Sequence, residues 1–335
     1  MRELVTVQEV VGITPIEGAD AIELAHVLGW QCVVKKGEFN SGDIGVFYEV
    51  DSYLPVEERY DFLMKSSYRN NAFMGEGIRI KTMRMRGQIS QGLFLPIEIV
   101  PEARGLAVGT DLTELLGVRK WELPEVSAGS MGAMRGDKPH GIPTTDETRM
   151  QTSPRVLRAL SGRPYYITTK MDGTSCTVYH KDGEVGVCSR NFELKNDGES
   201  SYWDIANSYD LPNKLRDYGK NIAVQGEFCG EGIQKNRIRL STPKLYVFSV
   251  VDLDTHEYWD YAEVVALTNA LGLDMVPIEE VGNSFNLSSE ELLVKAQGKY
   301  PGGNDKEGIV IRSQAQRNSR VSFKVLNNKA LLKED

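Results

Sequence analysis

The stretch YYITTKMDGTSCTVYHKDGEVGVCSRN, residues 165–191, decides the fold of the second half of this chain and poses its main chemical question. The β-branched and aromatic residues of YYITT predict a strand that ends at Lys170. Asp172 and Gly173 follow at once, and the Asp182-Gly183 pair predicts the tight turn of a β-hairpin. A lysine at a strand end with a carboxylate two positions later has little structural use, so the segment is a candidate catalytic site.

Three more charged residues occupy comparable positions in predicted strands of the same half. Glu227 ends AVQGE, Glu307 precedes GIVIR and Lys324 lies within VSFKV. One such charge is usually an exposed edge residue, but four at matching positions indicate a shared cleft. Lys170 becomes a nucleophile only when its amine is deprotonated, against a free pKa of about 10.4. Glu227 and Glu307 offer the oxygen ligands that Mg²⁺ prefers, and a metal ion would lower the pKa of that amine.

The remaining candidates would bind a nucleotide beside the lysine. Arg149, Arg190 and Lys324 are suited to phosphate oxygens and to the charge that develops in a transition state. Asp172 is suited to accept a hydrogen bond from a ribose hydroxyl, and Phe248 is suited to stack on a base. Together these residues predict a site that activates a nucleotide by attaching it to that lysine.

Composition is typical of a globular protein from a reducing compartment. Its 335 residues leave room for two domains, and 41% of them are apolar against 26% charged. No apolar run reaches the roughly 20 residues that a membrane span needs, and the N-terminus lacks the pattern of a signal peptide. The four cysteines form no CxxC pair and are interpreted as reduced and buried. We therefore expect a cytoplasmic or nuclear protein, of cellular or viral origin, without a membrane partner and monomeric by default.

The chain divides at a segment rich in Gly, Pro and Ser. Residues 1–121 read as short alternating strands separated by turns, which predicts an OB-like β-barrel, with an unrelated β-sandwich as the alternative. Residues 122–145 are predicted to be a linker. Residues 146–335 mix strands such as NIAVQGEF with helices at PRVLRALSG, AEVVALTNALG and SSEELLVKAQG. This second part is expected to be an α+β domain with mostly antiparallel pairing.

The net charge of −8 does not exclude nucleic acid, because binding depends on where basic residues cluster. One cluster lies in the first part of the chain, with Glu76 as its single acidic residue. Two interpretations stay open: a solvated basic loop, or a groove that grips a duplex, with Tyr68 and Phe73 available for stacking. The basic residues of this cluster are Lys65, Arg69, Arg79, Lys81, Arg84 and Arg86.

The ordered motifs resemble those of the covalent nucleotidyltransferases, the superfamily of polynucleotide ligases and mRNA capping enzymes. They are KMDG (170–173), SRN (189–191), GEF (226–228), YVFSV (246–250), KEGIVIR (306–312) and SFKV (322–325). The first part of the chain and TDETRMQ (145–151) resemble the corresponding regions of the Deinococcus- and Naegleria-type RNA ligases. This resemblance implies a nucleic-acid-binding OB domain (1–121) and an ATP-grasp-like nucleotidyltransferase domain (146–335) of mainly antiparallel sheets with flanking helices.

The resemblance also implies an ATP-dependent RNA ligase that uses Mg²⁺ or Mn²⁺ to seal 3′-hydroxyl/5′-phosphate breaks in RNA or RNA–DNA nicked duplexes. Lys170 would attack the α-phosphate of ATP, carry AMP and pass it to the 5′-phosphate, which a 3′-hydroxyl then attacks. By the same likeness, Asp172 and Glu227 would contact the ribose or metal-bound water, Arg190 would bind the ribose or a phosphate, and Phe248 would stack on adenine. Glu307 would hold the metal through water, Lys324 would contact the α-phosphate, and Arg149 would contact the terminal phosphates.

One motif departs from the family pattern, because Ser322 stands where many relatives carry the first lysine of K-x-K. Arg320 and Lys329 are the candidates to replace that charge. Two rival functions also stay open. A GTP-dependent capping guanylyltransferase uses the same lysine chemistry, although it usually carries its OB domain after the last motif. A catalytically inactive relative that only binds nucleic acid is the other rival, although the motif charges are intact.

Overall fold

The computed structural model describes residues 2–122 and 134–333, so residues 123–133 of the predicted linker lie outside the described residues. The chain forms two units. The first comprises Met1–Pro124 with Gln151–Ser153, and the second comprises Glu125–Met150 with Pro154–Asp335. Each unit has a hydrophobic core of its own.

The first unit is built on a five-stranded antiparallel sheet that closes into a barrel. Its strands are β1 (Val5–Pro15), β2 (Ile22–Val27), β3 (Trp30–Lys35), β4 (Ile44–Tyr48) and β10 (Leu93–Pro96), in the order β10-β4-β1-β2-β3. β1 pairs with β4 through its first half and with β2 through its second, and a bulge between Val10 and Gly12 bends it. The Gln91 N–H donates to the Gln31 carbonyl (2.8 Å) and closes the ring. The predicted N-terminal barrel is therefore confirmed.

Shorter elements flank this barrel. A second sheet consists of β5 (Ser52–Leu54), β6 (Tyr68–Asn71), β7 (Gly75–Arg79) and β11 (Arg119–Lys120), in the order β11-β5-β7-β6. A separate hairpin pairs β8 (Met83–Met85) with β9 (Gln88–Ser90). The hairpin turns at Arg86 and Gly87, whose φ angles of 47° and 80° are those that a two-residue hairpin turn requires. This unit also contains α1 (Met64–Ser67) and the 3₁₀ turns Glu58–Leu63 and Pro101–Ala103.

The second unit contains two mainly antiparallel sheets, as predicted. The larger sheet consists of β12 (Met134–Asp137), β15 (Thr174–Lys181), β16 (Glu184–Cys188), β17 (Phe192–Leu194), β18 (Ile222–Cys229), β19 (Lys244–Asp252) and β20 (Asp274–Met275), in the order β12-β17-β16-β15-β18-β19-β20. The smaller sheet consists of β13 (Thr148–Arg149), β14 (Tyr165–Thr169), β21 (Ile278–Gly282), β22 (Gly308–Ser313) and β23 (Ser322–Leu326), in the order β13-β23-β22-β14-β21. The predicted hairpin joins β15 and β16 through Asp182 and Gly183.

Three helices of this unit confirm the sequence patterns: α2 (Arg155–Leu160), α5 (Tyr261–Leu271) and α6 (Ser289–Ala296). α6 begins with the expected capping box of Ser288 and Glu291. The helices α3 (Ser201–Ser208), α4 (Leu211–Tyr218) and α7 (Asn328–Leu331) were not predicted. α3 and α4 are two turns each and meet at Asp210, whose φ is 52°, so neither shows a long apolar period. In the two described ranges, no helix is long and apolar enough to cross a membrane.

Candidate active site

Lys170 follows directly on β14, where the sequence placed it. Its backbone N–H donates to the Gly308 carbonyl (3.0 Å), and its carbonyl accepts from the Tyr300 hydroxyl (2.5 Å). These two bonds fix the backbone of the lysine, while its Nζ forms an ion pair with the Glu307 carboxylate. The lysine side chain is 26% exposed, so the amine is partly open to a substrate.

Gly173 is required because β18 approaches the KMDG segment closely. A Cβ atom at this position would lie 2.4 Å from the Phe228 carbonyl oxygen, 2.7 Å from Cys229 Sγ and 2.9 Å from Glu227 Cγ. The nearest of these atoms belongs to a strand backbone and cannot turn aside. The glycine therefore allows the strand that carries Glu227 to lie against the lysine segment, which explains the last position of the motif in packing terms.

Asp172 and Glu307 form a buried carboxyl pair beside the lysine. Asp172 is 4% exposed, and its Oδ2 accepts from the Arg237 backbone N–H (2.6 Å). Burial, with a smaller contribution from Glu307, raises the pKa of Asp172. Burial also acts to raise the pKa of Glu307, but the contact with Lys170 and the nearby Arg237 guanidinium outweigh it and hold that pKa below its usual value. Glu307 is therefore the ionised member of the pair.

Glu227 belongs to the same electrostatic cluster. Burial, together with the negative charges of Glu307 and Asp172, raises the pKa of Glu227 to about 7, and Lys170 and Lys324 act against this rise. A carboxyl group poised near neutrality among other charges is characteristic of functional sites. The structure thus brings together Lys170, Asp172, Glu227 and Glu307, with Lys324 within electrostatic range of Glu227.

Lys324 and Arg149 are neighbours in the smaller sheet. β13 lies parallel to β23 with Arg149 opposite Lys324, and the Met150 N–H donates to the Lys324 carbonyl (2.9 Å). Across the sheet, Lys324 is in register with Val310 and Val310 with Thr168. Residues opposite one another in a sheet project to the same face. Arg149 and Lys324 therefore project to the same face of the smaller sheet as Thr168, which lies two residues before the lysine nucleophile predicted from the sequence.

Phe248 occupies an irregular position in β19. The register with β18 shifts between Gln225 and Gly226, so that Phe248 is the extra residue of a bulge. Its partly buried ring packs against the hydrophobic cluster that contains Met171, the residue between the lysine and aspartate of the motif. The Arg312 guanidinium lies 5.5 Å from the ring centroid. One aromatic surface is thus held close to the predicted nucleotide site, with a cation against it.

Glu147 forms a buried ion cluster with two arginines. Its Oε1 lies 3.0 Å from Arg312 Nη2 and 3.0 Å from Arg320 Nη2. Burial works to raise the pKa of Glu147, but the two guanidinium groups hold it below its usual value. Arg320 also stacks on Tyr258, with 4.1 Å from guanidinium carbon to ring centroid. Arg320, expected as a substitute for the lysine that Ser322 replaces, is thus engaged by Glu147.

Arg190 forms an ion pair at the surface of the second unit. Its Nη2 donates to both carboxylate oxygens of Asp146 at 2.8 Å. Asp146 is 54% exposed, so this pair lies at the surface of the unit. In this state Arg190 holds the segment ahead of β13, and its contact with a ribose or phosphate stays a prediction.

Three residues with contacts in or beside the site were not predicted as site residues from the sequence. Arg237 donates to Asp172 from the loop between β18 and β19, Tyr300 supports the lysine backbone from the loop before β22, and Glu147 lies ahead of β13. Each is a single polar residue in irregular sequence. The one available signal was position, since Tyr300 precedes the KEG motif closely and Glu147 is inside TDETRMQ.

The basic cluster of the first unit contains three exposed and three partly buried cations. Arg79 is 11% exposed, its guanidinium lies 5.0 Å from the Trp121 ring, and it lies 4.0 Å from Asp51. Arg79 therefore has a structural role within this unit, which its sequence context did not reveal. Phe73 is 63% exposed, and the Tyr68 hydroxyl donates to Glu76 (3.2 Å). The exposed cations of the cluster are Lys65, Arg84 and Arg86, and the partly buried ones are Arg69, Arg79 and Lys81.

The carboxyl set fits a hard divalent cation only in part. Asp172, Glu227 and Glu307 supply oxygen donors, which suit Mg²⁺ and Mn²⁺. Within residues 2–122 and 134–333, no group of three or more His, Cys, Asp or Glu side chains is arranged to hold an ion directly. The binding of a metal through water by Glu227 and Glu307 is compatible with this geometry and stays a prediction.

Comparison with known proteins agrees with the two-unit architecture. A family model described as an OB-fold domain matches residues 4–97, and one described as RNA ligase matches residues 163–326. A search of curated proteins finds no match.

Solved structures similar to the whole chain include three of Naegleria gruberi RNA ligase. A mutant with ATP and Mn is 36% identical, covers 99% of each chain and has a TM-score of 0.93. A lysine-to-methionine mutant with AMP and Mn is 37% identical, with 99% of each chain covered and a TM-score of 0.93. A complex with PPi is 37% identical, covers 100% of this chain and 99% of the other, and has a TM-score of 0.92.

Proposed function

This chain belongs to the RNA ligase family, and we propose that it seals 3′-hydroxyl/5′-phosphate breaks in RNA through a lysyl-AMP intermediate on Lys170. ATP is the nucleotide, and nicked duplexes with RNA on the 3′-hydroxyl side are the substrates. The chain acts as a monomer, with 1–121 as the nucleic-acid-binding domain and 146–335 as the adenylyltransferase domain.

The observation that supports this proposal most directly is the set of carboxyl groups around the Lys170 amine. A lysine at a strand end, fixed through both backbone groups and paired with Glu307, sits among two further carboxyl groups of raised pKa. A purely structural ion pair needs one carboxylate. The additional Asp172 and Glu227 carboxyls are suited to hold a nucleotide ribose and the water shell of a cation beside the amine.

The chain's own residues then take distinct parts in the first step. The Lys170 ammonium loses a proton to water, and the free amine leaves Glu307 and attacks the α-phosphorus of ATP. An N–P bond forms, the bond from the α-phosphorus to the bridging oxygen breaks, and pyrophosphate is released. Lys324 neutralises the α-phosphate, and Arg149, its neighbour across the strands, orients the leaving pyrophosphate. Phe248 stacks on adenine from its bulge position. Bound Mg²⁺ or Mn²⁺ would neutralise phosphate charge in this site.

Substrate binding is assigned to the exposed cations of the first unit, Lys65, Arg84 and Arg86, with Arg69 and Lys81 beside them. Lysine and arginine side chains neutralise phosphates without reading sequence, and binding of this kind weakens as salt rises. Arg79 is left out of this set because Trp121 and Asp51 already engage it.

Labelling with α-labelled nucleotide tests the proposal. We expect acid-labile label on the protein from ATP in the presence of Mg²⁺ or Mn²⁺, and its loss in Lys170→Met. Lys181→Met, which changes an equally sized cation at the end of β15, is the matched control and should keep the label. Label from GTP alone would favour the capping reaction. Absence of label from both nucleotides would favour an inactive binding protein.

A further inference from the structure

Arg237 contacts both carboxyl groups that flank the lysine. It lies in the loop between β18 and β19, and its backbone N–H donates to Asp172 Oδ2 at 2.6 Å. Its Nη1 lies 3.6 Å from Glu307 Oε1, with the side chain only 14% exposed. The Arg237 carbonyl accepts from the side-chain amide of Asn304 (2.8 Å), which anchors the loop at this residue. A nearly buried guanidinium is therefore held beside the carboxylate that pairs with Lys170.

Glu307 is shared unequally between its two cations. Lys170 Nζ makes a direct hydrogen bond to Oε2, whereas the 3.6 Å separation of Arg237 Nη1 from Oε1 is an ion pair without a hydrogen bond. Arg237 Nη1 is buried and has no hydrogen-bond acceptor among the described residues. Buried donors are seldom left unused, and one next to a functional carboxylate calls for an explanation. Arg237 thus has a spare donor directed at Glu307.

We propose that Arg237 is a positioning residue that takes over Glu307 when Lys170 carries AMP. This inference rests on the proposed function. The nitrogen of a phosphoramidate bears no positive charge, so adenylylation removes the closer partner of Glu307. The Glu307 side chain is only 18% exposed, so its carboxylate still needs a nearby cation, and Arg237 at 3.6 Å is the other ion-pair partner present. Arginine stays charged throughout, and a movement of less than about 1 Å turns the existing contact into a charge-assisted hydrogen bond.

The step that depends on this exchange is the transfer of AMP to the substrate. An oxygen of the 5′-phosphate attacks the AMP phosphorus, a P–O–P bond forms and the N–P bond breaks. The lysine nitrogen leaves as an amine, takes up a proton and again pairs with Glu307. Before the transfer Arg237 is the cation that holds Glu307 in place, and after it Lys170 shares that role. Sealing of a strand that is already adenylylated takes place with the lysine amine free.

Separate measurement of the steps tests this assignment. Arg237→Ala should form lysyl-AMP but slow single-turnover transfer to a 5′-phosphate by at least about tenfold, and should seal a preadenylylated strand within about threefold of the unsubstituted chain. Intact-mass analysis should show a larger adenylylated fraction of the purified variant. Arg237→Lys should restore much of the transfer rate, whereas Arg237→Gln, which keeps a polar side chain but removes the positive charge, should not. The backbone bond to Asp172 is present in every variant.

The matched control is Arg239→Ala, an exposed arginine of the same loop whose Nη2 lies 3.5 Å from the Asn304 side chain. It should leave all three steps within about threefold. Equal losses in every step, no loss in transfer, or restoration by glutamine as well as by lysine would overturn the inference while lysyl-AMP formation still supports the proposed function. Absence of lysyl-AMP in the unsubstituted chain would overturn both.

Discussion

Removal of the Glu147 carboxylate is expected to destabilise the second unit strongly. Glu147→Ala leaves Arg312 and Arg320, each 3.0 Å from the lost oxygen, without their common anion. Arg312 is 3% exposed and has Nε buried without an acceptor among the described residues, so its charge would be left almost uncompensated. Breaking a buried ion pair from one side typically costs about 3–5 kcal/mol. Arg320 is 27% exposed and adds little to this cost, because water screens it.

Calorimetry on the full chain measures this cost. For a unit of this size each kcal/mol corresponds to roughly 2–4 °C, so the transition of the second unit should fall by roughly 6–20 °C. Asp146→Ala is the matched control. It also removes a carboxylate bound to an arginine, but Asp146 is 54% exposed and its loss should cost under about 1 kcal/mol. If Glu147→Ala and Asp146→Ala lower the transition equally, the argument from burial is wrong.

The pH dependence of this effect has a defined sign. The arginines hold the pKa of Glu147 in the folded chain below its ordinary value of 4.5. A group whose pKa is lower in the folded state contributes stability that is fully present above the unfolded pKa and is lost as pH falls through the folded pKa. The difference in transition temperature between the unsubstituted chain and Glu147→Ala should therefore be largest near neutral pH and shrink below pH 4.5. A difference that grows on acidification would contradict this linkage.

Three further predictions concern single contacts. Gly173→Ala should abolish lysyl-AMP formation while the first unit keeps its unfolding transition, because the new Cβ would meet the Phe228 carbonyl at 2.4 Å; normal labelling would refute the close approach. Tyr300→Phe removes the 2.5 Å bond to the Lys170 carbonyl and should slow labelling by about tenfold with ATP affinity unchanged, as measured by single-turnover kinetics. Ser288→Ala should cost about 1 kcal/mol in denaturant unfolding of the second unit, and no change would mean that the capping box contributes nothing.

The sequence predicted structure best at positions where the backbone conformation or the chemistry of a side chain allows few residue types. β14 and the β15–β16 hairpin could be predicted because β-branched runs and an Asp-Gly turn have few other uses. Lys170 stood out because a strand end needs no lysine. The pair α3 and α4 was missed, because each is only two turns long and the positive φ of Asp210 interrupts the apolar period. Short helices of this kind are stabilised by packing in the core, which a local pattern does not contain.

The residues missed at the site share a physical reason. Arg237, Tyr300 and Glu147 act through contacts with chain segments far away in sequence. Arg237 and Asp172, for example, are 65 positions apart. A strand end or a hairpin turn carries a local signature, whereas a loop arginine takes its role from the carboxylates that the fold brings to it. In the proposed mechanism the motif residues supply the reacting atoms, and Arg237 determines which cation remains beside Glu307 once the lysine has reacted. That second property appears only in three dimensions, and for this reason the selective loss of AMP transfer in Arg237→Ala tests the structure beyond the motifs.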